Sequence, residues 1–106
     1  MLKIKSNKIY SINEIKSKLE KVLAHAPVCK VVLFGSYVKR QARKESDLDF
    51  LIDTNGEIMG FDLIELICNI ENEFKKNAHV FDKSKIIENS TIDKEIKKTG
   101  VVVYEK

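Results

Sequence analysis

Apolar residues recur along this chain with two different periods. Ile12, Ile15, Leu19, Val22 and Leu23 fall at helical spacing behind Ser11-Ile12-Asn13-Glu14, a capping-box pattern. This predicts a helix from about Ser11 to His25, stopped by Pro27. Val28 to Phe34 follows as an apolar run of strand length. Asp47-Leu48-Asp49 alternates acidic and apolar positions before running on as Phe50-Leu51-Ile52, and Leu48 to Ile52 reads as a second strand. Phe61, Leu63, Ile64, Leu66, Ile67, Ile70 and Phe74 fill so much of a helical surface that this helix is expected to be mainly core, with a face wide enough to reach a partner as well. Asn77 to Phe81 predicts a short third strand. Ser90-Thr91-Ile92-Asp93 predicts the cap of a helix that runs to Thr99 and stops at Gly100, and Val101 to Tyr104 predicts a last strand. With a short helix over Tyr37 to Arg43, the order is α-β-α-β-α-β-α-β. The expected fold is α/β (α+β): one domain over residues 1–106, with a short mixed central sheet flanked by helices. A chain of 106 residues buries roughly 60 to 70% of its unfolded surface, enough for one modest core. The strands are too short for a large doubly wound sheet, and no dinucleotide-type glycine motif is present.

The chemistry concentrates where the first strand ends. An apolar run that stops at Gly35-Ser36 reads as a buried strand entering a tight turn, with the next helix starting on the serine. Backbone N–H groups at a helix N-terminus, a glycine that lets a ligand approach closely and the Ser36 hydroxyl together make a phosphate seat. Lys39, Arg40, Arg43 and Lys44 follow it, cations suited to a triphosphate; for Arg40 and Lys44 a solvated helix face weighs equally. Asp47 and Asp49 sit at i and i+2 of a strand, so they share a face while Leu48 and Phe50 point into the core. Two such charges, if close, repel by about 1 kcal/mol in water and about 4 kcal/mol at an effective dielectric near 20. A cation relieves that repulsion, and Mg²⁺ is typically held by one or two carboxylates plus substrate phosphates. Asp53 reads as a turn residue at the end of the strand, and His25 as a solvated residue favoured by a helix dipole.

Composition narrows the setting. Lys and Arg (19) exceed Asp and Glu (16), a net charge of +3 that suits a phosphate-bearing ligand and is too small to point to nucleic acid. Cys29 and Cys68 are too few and too far apart for a zinc site or a disulfide framework, and are expected to pack as small free hydrophobes. No stretch approaches the length of a membrane span, and Met-Leu-Lys-Ile-Lys-Ser lacks the apolar region of a signal peptide. A cytoplasmic protein is expected.

Phe34-Gly35-Ser36, a spacer and then Asp47-Leu48-Asp49 resemble the nucleotidyltransferase superfamily related to DNA polymerase β. Within it, Gly35, Ser36, Tyr37, Ala42, Arg43, Ser46, Asp47 and Asp49 meet the pattern of the small minimal nucleotidyltransferases, with Lys39 where Arg is common and Arg40 where Gly is common. The resemblance implies that Gly35, Ser36, Lys39 and Arg43 bind the nucleotide, that Asp47 and Asp49 hold Mg²⁺, and that ATP is the substrate. Active relatives carry a third carboxylate on the strand after the long helix; here His79 stands at that position, with Asp82 the nearest acid. Histidine can serve as a general base.

Two functions follow. The first is transfer of a nucleoside monophosphate, most simply AMP from ATP, to a hydroxyl, with Asp47, Asp49 and His79 catalytic. The sequence leaves no room for a substrate domain, so the acceptor is expected to be small or presented by another protein. The resemblance implies a helical HEPN-domain partner in a toxin-antitoxin pair, with self-association a further option. The second is a retired nucleotidyltransferase that neutralises such a partner by contact alone.

Overall fold

The computed structural model describes residues 8–38, 47–58 and 60–106. Ser11 caps helix α1 (Ile12–Val22): its hydroxyl accepts the Glu14 N–H at 3.1 Å while the Glu14 carboxylate accepts the Ser11 N–H at 3.0 Å. The reciprocal pair is the one the sequence pattern predicts. The helix closes at Leu23, earlier than the expected His25, and a turn ending in a Val28 N–H to Ala26 C=O bond delays strand β1 to Lys30–Phe34. Strand β2 (Leu48–Asp53), helix α2 (Phe61–Phe74), strand β3 (Ala78–Asp82), helix α3 (Thr91–Thr99) and strand β4 (Val101–Glu105) complete the order.

The strands form one mixed sheet in the order β3-β2-β1-β4. Strand β1 runs antiparallel to both β2 and β4, whereas β2 and β3 are parallel and joined by α2. One face carries the core: Val31, Leu33, Leu48, Phe50 and Ile52 are fully buried, against Ile15 and Leu19 of α1 and Ile70 and Phe74 of α2. Tyr10 pins the end of α2, its hydroxyl donating to the Phe74 carbonyl at 2.6 Å and its ring meeting Phe74 edge-on at 5.3 Å.

Helix α2 is less of a core element than its composition predicts. Leu66, Ile70 and Phe74 are buried, but Phe61 is 89% exposed and Ile64 56%. A sheet of four short strands with α1 as the adjoining helix covers only one stripe of α2. Cys68, at helical spacing from Phe61 and Ile64, shares their solvent side, and Cys29 precedes β1 on the outside; both thiols are free and exposed, not packed as expected.

Helix α3 lies against β1 on the opposite sheet face and ends at Gly100, where crowding leaves room only for glycine. A β-carbon there would stand 2.7 Å from Val32 Cγ1, while the backbone, at ψ 139, is ordinary extended chain. Register places the rest of this face in three rows. Phe34, Asp49 and His79 are neighbours across β1, β2 and β3; Val32, Leu51 and Phe81 form the next row; Lys30 and Asp53 form the third, beside Lys83 just past β3. The four-stranded mixed sheet flanked by helices is the fold expected from the sequence. The expected helix over Tyr37–Arg43 falls, from Lys39 on, outside the described residues.

Candidate active site

The first row holds the chemistry. Strand β1 gives way after Phe34 to a 3-10 turn over Gly35–Tyr37, and because Phe34 is the partner of Asp49 the turn sits directly over that carboxylate. Gly35 adopts φ +80, and a β-carbon on it would overlap Asp49 Oδ2 and lie 3.1 Å from Asp49 Cγ. Two demands therefore select glycine here: left-handed backbone and close approach.

Parallel pairing of β2 with β3 sets His79 beside Asp49. His79 Nδ1 is 3.1 Å from Asp49 Oδ1, within hydrogen-bond reach, and Nε2 is 3.6 Å from Asp47 Oδ2. Asp47 and Asp49 thus share one face, as the i, i+2 spacing predicts, and meet the same imidazole. The Asp49 side chain is 24% exposed, Asp47 38% and His79 59%. Burial raises the Asp49 carboxyl above its ordinary range; His79 opposes that shift and the Asp47 charge adds to it.

Tyr37 closes the turn from the core side, 8% exposed. Its hydroxyl is buried with no partner in hydrogen-bond geometry among the described residues; burial pushes the phenol up, the nearby Tyr10 backbone opposes that shift, and Tyr10 and Asp47 add smaller upward contributions. The sequence motif contained Tyr37, but nothing in the pattern signalled a buried hydroxyl at the rim of the site. Phe81, whose ring centroid lies 5.8 Å from that of Phe34, was likewise invisible before the register was known.

Of the residues singled out by sequence, Gly35, Asp47, Asp49 and His79 come together. The Ser36 backbone belongs to the same turn. Lys39 and Arg43, with Arg40 and Lys44, lie outside the described residues. Asp53 sits at the far end of β2, where Oδ1 accepts the Asn55 N–H at 3.0 Å and Oδ2 is 3.5 Å from Lys83 Nζ. Asp82 caps the turn after β3 by accepting the Ser84 N–H and hydroxyl. Both are turn residues.

Asp47 and Asp49 are hard oxygen donors that repel one another at a partly desolvated strand end, and Gly35, lacking a β-carbon, lets the Asp49 carboxylate stand directly beneath the turn. The residues fit Mg²⁺. Among the described residues no group of three His, Cys, Asp or Glu side chains is arranged to hold a metal on its own.

The sequence profile of the family described as Polymerase beta, Nucleotidyltransferase matches residues 10–106. The chain belongs to this family. A relative from Methanocaldococcus jannaschii, provisionally named a protein adenylyltransferase, is 30% identical over 76 residues, 72% of this chain and 82% of the relative. Solved nucleotidyltransferase-like folds agree. A chain from a toxin-antitoxin crystal structure with AMP-PNP superposes with a TM-score of 0.70 at 18% identity, covering 86% of this chain and 73% of its own. A chain from the complex of a tri-AMPylated Shewanella oneidensis HEPN toxin with its MNT antitoxin superposes at 0.66 and 16% identity, covering 91% and 74%. At these identities the likeness is one of fold. Among the described residues no helix is long and apolar enough to cross a membrane.

Proposed function

We propose that this nucleotidyltransferase-family chain moves AMP from ATP, with Mg²⁺, to a hydroxyl on a helical HEPN-type partner protein. The observation that carries the reading is the meeting of Asp47, Asp49 and His79 beneath the Gly35 turn. The name of the Methanocaldococcus jannaschii relative and the AMPylated toxin bound to an MNT antitoxin support the transferred group and the partner class.

Gly35 and Ser36 present backbone N–H groups to the β and γ phosphates, and Lys39 and Arg43 offset their charge. Asp47 and Asp49 hold the metal. Magnesium, when bound, stabilises charge on the attacking and leaving oxygens of an in-line displacement. The acceptor oxygen forms a bond to the α-phosphorus as the bond from that phosphorus to the α,β-bridging oxygen breaks, and pyrophosphate leaves. The acceptor proton passes to His79. With Nδ1–H held on Asp49 Oδ1, Nε2 is the nitrogen left to take it, and Asp47 Oδ2, 3.6 Å from Nε2, stabilises the imidazolium that forms. Exposed free thiols at Cys29 and Cys68 suit a reducing cytoplasmic setting.

The second reading, a retired module that neutralises its partner by contact, is favoured by one observation: a histidine occupies the expected carboxylate position. The experiment incubates wild type, His79→Ala and His79→Asp with ATP labelled at the α-phosphate, Mg²⁺ and a HEPN-domain protein. Transfer by wild type that falls about 10² to 10⁴-fold in His79→Ala supports a base at His79. Transfer only by His79→Asp marks a lost carboxylate. Binding of the HEPN protein without transfer by any variant leaves the contact module. Calorimetry adds an independent check: ATP affinity that is unchanged by chelator and by Asp47→Asn contradicts the metal site.

A further inference from the structure

The three rows on the sheet face that carries the active site form a graded surface. The first sets Asp49 and His79 beside the buried ring of Phe34. The second, Val32, Leu51 and Phe81, is apolar and half-exposed. The third alternates in sign: Lys83 Nζ stands 3.5 Å from Asp53 Oδ2, and Lys30 Nζ stands 3.9 Å from Glu105 Oε2 on β4. Two cavities open at this end. One, of about 110 Å³, is lined by Lys30, Val32, Leu51, Asp53 and Lys83; the other, of about 450 Å³, continues past Asp53 and Lys83 to Asn55, Gly56, Asp82 and Ser84. Asp53 and Lys83 border both.

We propose that this face is the track on which the acceptor lies, as an extended segment of the partner polypeptide carrying a hydroxyl, an apolar and an acidic side chain at alternate positions. The inference rests on the transfer reading above and names what the site takes as acceptor. Length and periodicity carry it. Asp49 and Asp53 are four residues apart on one strand, about 13 Å, and extended chain repeats its side-chain direction every two residues, about 6.6 Å. A segment whose hydroxyl residue stands at Asp49 and His79 therefore sets its second-next side chain over Leu51 and Phe81 and its fourth-next at Asp53 and Lys83. Charge fixes the last class. The Asp53 carboxylate is 29% exposed and already accepts the Asn55 N–H, and Asp82 is occupied in capping Ser84, whereas the Lys83 side chain is 63% exposed on a long contact. The group open to a newcomer is the ammonium, and its complement is a carboxylate. A second copy of this chain is not required.

The test needs no transfer step. End-blocked peptides Tyr-Ala-Val-Ala-Glu, its reversed order Glu-Ala-Val-Ala-Tyr, and Tyr-Ala-Val-Ala-Lys are titrated into isotope-labelled wild type, Lys83→Ala and Lys83→Glu while amide resonances are followed. At least one acidic peptide shifts the amides of Leu51, Phe81 and Lys83 in wild type. Its affinity falls fivefold or more, roughly 1 kcal/mol, in Lys83→Glu and less in Lys83→Ala, and the lysine peptide gains in Lys83→Glu. Both variants keep their fold and their Mg²⁺-ATP affinity, since an exposed pair contributes little to stability. Absence of shifts on this face with every peptide, or equal affinity across wild type and Lys83→Glu, overturns the track. Peptide binding here alongside failed labelling in the transfer assay instead removes the enzymatic reading and leaves a peptide-binding face.

Discussion

Asp49 Oδ2 occupies the space that a β-carbon on Gly35 would need. The glycine turn and the Asp49 carboxylate are therefore not two adjacent features but one packed unit, and neither can shift without the other.

Gly35→Ala tests that unit. The substitution strains a backbone at φ +80 and pushes Asp49 away from His79. Stability should fall by about 1 to 3 kcal/mol, the usual cost of a non-glycine residue held in the left-handed region. Transfer should fall by about 10²-fold or more, because a displacement near 1 Å is enough for that. Thermal unfolding and the labelled-ATP assay measure the two effects; unchanged values in both contradict the close packing.

Asp49→Asn should separate stability from activity. Burial and the Asp47 charge raise the Asp49 carboxyl, so keeping it ionised in the free protein costs stability. The amide removes that cost, and the midpoint should rise by up to about 4 °C near pH 8 without metal. Mg²⁺-dependent ATP binding should be lost. A variant that is less stable than wild type under these conditions argues against the desolvated, repelled carboxylate.

Glu14 gives a pH signature remote from the site. Its carboxyl is lowered from 4.5 to about 2 by Lys8 and by the Ser11 backbone N–H. A depressed folded value means that the stabilisation is present above the ordinary carboxyl range and disappears as pH falls towards 2. Midpoints of wild type and Glu14→Gln should thus differ by a constant amount above about pH 5 and converge in acid. The Glu14 carboxylate lies at the surface, so the offset should be small and should shrink further in salt.

Ile64 and Ile70 of α2 contrast the two sides of one helix. Ile70 is fully buried and Ile64 is 56% exposed. Ile70→Ala should cost about 2 to 5 kcal/mol, and Ile64→Ala no more than about 0.5 kcal/mol. Denaturant midpoints with an unchanged slope would establish both.

Helix α2 also marks the limit of what the sequence makes legible. Its existence is readable because Leu66, Ile70 and Phe74 repeat every four residues, but how much of its surface is covered depends on the width of the sheet and on neighbouring α1. Cys29 and Cys68 were misplaced for the same reason: apolar neighbours in sequence do not fix which side faces water. The strand alternation placed Asp47 and Asp49 correctly because a period of two leaves no freedom. His79 was placed by resemblance, and only the parallel register Asp49↔His79 gave it physical contacts. The alternating row of Lys83, Asp53, Lys30 and Glu105 draws one residue from each of four segments, so no local pattern contains it.

The sheet order also fixes when the site can form. Val31 pairs with Ile52 on one side and with Tyr104 on the other, across most of the chain. The contacts that set Gly35 over Asp49 belong to the shorter loop, β1 to β2, and close at a lower entropic cost than the pairing of β1 with β4. During synthesis, the phosphate turn and its carboxylate are available to assemble while the β1 edge still waits for β4. In that interval β1 is an open edge, and an apolar one, so the chain is most prone to aggregate just before its last strand docks.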